Sequence, residues 1–121
     1  MDIALSVSIP TGATGLSAGH ELYGARPVAI AIPAGWQAAD ITFQASADGT
    51  TWYNLHESGS DTEVTVQAGA SRFIALSTAA RDQLASARYL KIRSGTSGTP
   101  VDQTGSPTLT LFLTKFNTRG N

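Results

Sequence analysis

The sequence predicts an all-β fold: an antiparallel β-sandwich, a jelly roll of about eight strands with at most one short helix. Three observations predict it. Apolar residues alternate with small polar ones in short runs along most of the chain, the period of a half-buried strand. Gly, Pro, Asp and Ser gather between those runs, at the spacing of turns in a sandwich. Only one segment carries a helix signature.

In chain order, Ile3, Leu5, Val7 and Ile9 alternate with Asp2, Ala4, Ser6 and Ser8 as a first strand. Pro10 ends it, having no N–H for a ladder. Residues 11–25 are Gly-rich and aperiodic, a long loop of the kind that often carries function. Val28, Ile30 and Ile32 alternate with Ala29 and Ala31 between Pro27 and Pro33, and such small alanines suit a closely covered face. A turn at Ala34-Gly35-Trp36 leads to the most informative stretch, ITFQASADGTTWYNL from Ile41 to Leu55. It reads as a hairpin: Ile41, Phe43 and Ala45 face the core, Asp48-Gly49 forms a tight turn, and Trp52 opens the return strand as a core anchor.

The polar turn 56–61 precedes a short strand, Thr62 to Val66, with Val64 and Val66 inward. After Ala68-Gly69-Ala70, Arg72 to Leu76 forms the next strand. Residues 77–86 are the one helix, N-capped by Ser77, with Leu84 docked and Arg81 and Asp82 in water. Arg88 to Ser94 alternates again, Leu90 and Ile92 inward, Tyr89, Lys91 and Arg93 outward. A second long loop covers 95–107. The last strand, Thr108 to Phe116, sets Leu109, Leu111 and Leu113 on one face and Thr110, Phe112, Thr114 and Phe116 on the other. One domain, 1–116, and a polar tail, 117–121, account for the 121 residues.

Composition narrows the function. Charged residues make up 14 %, against roughly 25 % in an average soluble domain, and the net charge is −1 with the arginines scattered. Nucleic acid and anionic membrane are therefore not expected partners. Zero cysteines exclude a disulfide framework and thiolate metal sites. The N-terminal MDIALSVSIP lacks the basic and unbroken apolar regions of a signal peptide, so no Sec signal is expected if Met1 is the native start.

Two stretches carry a resemblance. FQASADGTTWYNL, with Phe43, Ser46, Asp48, Gly49 and Trp52, and ARYLKI, residues 87–92, resemble the discoidin or factor-five/eight C-type jelly rolls over about residues 41–95. That resemblance implies a galactose-binding-like sandwich and, for function, a carbohydrate-binding module. IPAGW before the hairpin, with RFIAL and RSGTS after it, is similar to small structural proteins of tailed bacteriophages. This second resemblance implies a non-enzymatic virion subunit, a capsid decoration or tail accessory protein assembled in the host cytoplasm. Its partners would be other virion proteins and further copies of itself, with no cofactor.

Chemistry has few candidate residues. His20 and His56 are the two histidines available as general bases, with no nucleophile elbow, HExxH or paired-carboxylate motif beside them. Asp48, Asp61 and Asp102 offer oxygens to a Ca²⁺, but without loop-ligand spacing, and Asp before Gly favours a turn role. Trp36, His20, Tyr23 and Arg26 would suit a sugar platform, although the competing reading has Trp36 capping the core edge. Phe112 and Phe116 mark a second apolar surface. The expected addresses of function are the 11–25 and 95–107 loops and the outer face of the last strand. Packing against other virion proteins is the leading expectation; attachment to a surface glycan is the alternative.

Overall fold

The computed structural model describes residues 2–115, and alternation in the sequence becomes alternation of burial. The elements are β1 (Asp2–Ser8), β2 (His20–Glu21), β3 (Ala25–Ile32), β4 (Ile41–Ser46), β5 (Tyr53–Asn54), β6 (Arg72–Ala75), α1 (Thr78–Ala85), β7 (Tyr89–Ser94) and β8 (Thr108–Lys115). Two four-stranded antiparallel sheets result, in the orders β1-β8-β3-β6 and β2-β7-β4-β5. This is jelly-roll order. The pairs β1·β8, β2·β7, β3·β6 and β4·β5 nest inside one another, as if one long hairpin had been rolled up from its tip.

The core lies between the sheets. Val7, Ile30, Ile32, Leu109, Leu111 and Leu113 come from the first, Ile41, Phe43, Leu90 and Ile92 from the second. Leu84 of α1 docks fully, and the helix starts where Ser77 Oγ accepts the Ala80 N–H at 3.1 Å. Pro27 is tolerated within β3 because β6 joins that strand only at Ala29, and a bulge at Val28 resets the register.

Some expectations change. The strand predicted at 62–66 makes only isolated bridges, Glu63 to His56 and Val66 to Ile41, though Val64 and Val66 are buried as expected. In its place β2 lies inside the predicted 11–25 loop. Phe116 and the tail 117–121 lie outside the described residues.

The hairpin is real, but its turn is wider than a two-residue Asp-Gly turn. Residues 47–52 connect β4 to β5. Asp48 Oδ1 accepts the Thr50 and Thr51 N–H groups, both at 2.9 Å, and the Ser46 hydroxyl at 3.0 Å. Gly49 takes φ +80°, a region costly for a residue with a Cβ. The register that follows sets Tyr53 opposite inward-facing Ala45. Trp52, one residue earlier, therefore falls on the outer face, since a one-residue step in a strand changes side.

That corrects the assignment of Trp52. Trp52 is half-buried outside the core, its ring against Gly19 and beneath Lys91 Nζ at 4.6 Å from the centroid. Trp36 is the core tryptophan, 5 % exposed, its indole N–H donating to the Ala39 carbonyl at 3.1 Å. Trp36→Ala is therefore expected to cost about 3–5 kcal/mol through lost burial and a cavity. Trp52→Ala should cost only about 1 kcal/mol, the scale of its cation–π contact. Urea unfolding of the two variants checks the order.

Candidate interaction surface

The predicted chemical groups do not converge. His20 sits half-buried in β2, where desolvation lowers its pKa and favours the neutral ring. His56 is exposed, with Nδ1 3.1 Å from the Asn54 carbonyl oxygen. Arg26 pairs with Asp82 at 3.4 Å, and Tyr23 is 70 % exposed at a turn. With Trp36 in the core, the four-residue sugar platform is not assembled.

The three aspartates are likewise separate. Asp48 organises its turn, Asp102 accepts the Gly12 N–H at 3.0 Å, and Asp61 is exposed in the 56–63 segment. Among the described residues no cluster of three or more His, Cys, Asp or Glu side chains has metal-holding geometry.

Both long loops are tied to β7. Ser17 N–H donates to the Ile92 carbonyl, and Ser17 Oγ accepts the Ile92 N–H, each at 2.9 Å. Ser94 N–H reaches the Gly15 carbonyl at 2.7 Å, and Val101 N–H reaches the Ser94 carbonyl at 2.8 Å. Gln103, fully buried, donates to Ser94 Oγ and the Gln37 carbonyl and accepts the Gln37 N–H.

Beside these loops is a group that strand parity sets on the outer face. Arg93 does leave β7 on the outer face, but it is only 5 % exposed, because the chain folds over it. Its Nη2 donates to Glu63 Oε2 at 2.8 Å, Nη1 to Asn54 Oδ1 at 3.0 Å, and Nε to Thr42 Oγ1 at 3.0 Å. Glu63 Oε1 accepts the Ser97 N–H at 3.0 Å, and Thr42 Oγ1 donates to the Gly95 carbonyl at 2.6 Å. Burial lowers the Arg93 pKa, while Glu63 opposes that shift by its charge and hydrogen bond. The only local signals were an acid within the apolar EVTV run and an arginine closing an apolar strand.

The other sheet presents a different surface. Across its outer face run two cross-strand rows, Ala4-Phe112-Ala29-Ala75 and Ser6-Thr110-Ala31-Phe73. Phe73 and Phe112, from strands on either side of β3, meet at 5.3 Å between centroids with planes at 39°. The pair covers the alanines of β3, which accounts for their small size: Ala29 is 6 % exposed. Phe73 itself stays 67 % exposed, beside a groove along β6 lined by Thr65, Gln67, Arg72, Ile74 and Leu76. The chain matches no family model, no curated protein and no solved structure.

Two outcomes are expected. Glu63→Ala leaves Arg93 buried without its counter-charge and should cost about 3–5 kcal/mol, whereas Glu63→Leu with Arg93→Met should recover much of that loss in a thermal or denaturant scan. The second concerns Asp48, whose pKa lies below its ordinary value because the Thr51 and then the Thr50 N–H groups, followed by Ser46, bind its ionised form. A depressed folded-state pKa contributes stability above the unfolded value, lost as pH falls through the folded one. The Thr50 and Thr51 amide resonances should therefore shift only below the ordinary aspartate range, and that step should vanish in Asp48→Asn.

Proposed function

We propose that this chain is a non-enzymatic structural subunit of a tailed-phage virion, a capsid decoration or tail accessory protein that acts by packing on neighbouring subunits. The observation that carries the packing role is the exposed Phe73 ring, seated with Phe112 on a sheet face otherwise built from Ala, Ser and Thr. Aromatic side chains are enriched at the centres of binding faces. The resemblance of IPAGW, RFIAL and RSGTS to phage structural proteins supports the virion setting. Jelly rolls serve in both capsids and lectins, so the fold alone decides nothing between packing and glycan binding. The glycan alternative loses its intended platform with Trp36 inside the core.

Copurification tests this reading. Products of the genes flanking the one for this chain, expressed with it, should include a capsid or tail subunit that carries the chain into sedimenting particles. Phe73→Asp should weaken that association at least tenfold with unchanged folding, since the ring is exposed in the free protein. Particles that form without the chain bound, or glycan-array hits with no particle binding, would overturn it.

A further inference from the structure

We propose that a second copy of this chain pairs with β1 along its free edge, joining two β1-β8-β3-β6 sheets into one continuous sheet across a two-fold axis. The inference stands apart from the virion reading, because it concerns the isolated protein.

A two-sheet sandwich has four edge strands, here β1, β6, β2 and β5. Natural proteins guard such edges by shortness, lysine, proline or a bulge. Three of these are short: β2 and β5 have two residues each and β6 has four. β1 has seven, and its register with β8 runs unbroken from Asp2 to Ser8. From Ile3 to Ser8 it holds no proline, glycine, lysine or other charge. Among the described residues, no strand pairs with its other side.

The strand is also self-complementary. An antiparallel pairing centred on Leu5 sets Leu5 opposite Leu5 of the second copy, and Ile3 opposite Val7. On the outer face it sets Ala4 opposite Ser6. Apolar side chains meet apolar ones, small meets small, and no like charges face each other across Ile3 to Val7. Ile3 and Leu5 belong to the inner, core-facing row yet remain only partly buried, whereas Val7 in the same row is buried. Pairing would cover that row and satisfy the open backbone groups of the edge. A shift of one residue would turn the apolar row of one copy against the solvent face of the other, so the pattern excludes odd shifts, and centring on Leu5 pairs the most of Ile3 to Val7.

The register makes the test specific. Ala4 and Ser6 are exposed, and the chain has no cysteine of its own. Directly opposed residues sit about 4.5–5.5 Å apart between Cα atoms, within disulfide reach. Two copies of residue 4, offset along the strand, lie roughly 8 Å apart and beyond it. An equimolar mixture of the single variants Ala4→Cys and Ser6→Cys, mildly oxidised, should give a covalent mixed dimer at least tenfold faster than either variant alone. Sedimentation of the unmodified protein should show a mass that doubles with concentration. A monomer at all concentrations, no mixed cross-link, or equal cross-linking of the single variants would overturn the proposal.

Discussion

The guanidinium of Arg93 is the charge around which one end of the molecule closes. Taking such an ion out of water costs several kcal/mol even after the surroundings relax, so burial is tolerated only where partners replace the lost hydration. Here the partners come from separate parts of the chain: Thr42 on β4, Asn54 on β5, and Glu63 beyond β5. A second layer extends the arrangement, Glu63 holding the Ser97 amide and Thr42 the Gly95 carbonyl. The segment carrying Glu63 joins no sheet ladder beyond isolated bridges, yet it delivers Val64 and Val66 to the core. The ion pair and those two side chains therefore stand together.

The nested pairing explains why such a network is needed. In a rolled hairpin, only β4 and β5 are near neighbours in sequence; β1 and β8 lie about a full chain apart. Closing the outer pairs costs loop entropy before their contacts repay it, which makes this topology slow to form. The Asp48 turn, held by local hydrogen bonds, gives the roll a tip that needs no distant partner. Arg93 of β7 then reaches Asn54 of β5, two strands that the backbone ladder joins only through β4.

Much of this was legible in the sequence. Strict alternation marked β1, β3, β4, β7 and β8, because a sheet with one face buried writes a period of two into each long strand. Ser77 marked the helix start through a contact three residues long. What was not legible depends on distance or on a single step. The two residues of β2 carry no period. The side taken by Trp52 is set by how many residues the Asp48 turn consumes, and the wider turn moved it out of the core. Arg93 projects outward as its strand parity requires, but the cover that buries it comes from residues about thirty positions earlier, which no local pattern reports.

The two sheets consequently use their outer faces differently. One is occupied by its own chain: Arg93 under the 54–63 segment and Trp52 under Lys91. The other relies on alanine, threonine and one ring pair. Because Phe73 and Phe112 already shield each other and Ala29, leaving them in water costs the free protein less than two isolated rings would. For the same reason, docking gains little beyond the exposed part of Phe73, about 3 kcal/mol at the usual area coefficient, which is less than association itself costs. Such a contact is too weak to hold a partner alone. It becomes durable when a second attachment joins it and turns the next contact into an intramolecular one. One modest anchor on the face and one unguarded strand at the same sheet's edge are two weak attachments of this kind, each of which gains from the other.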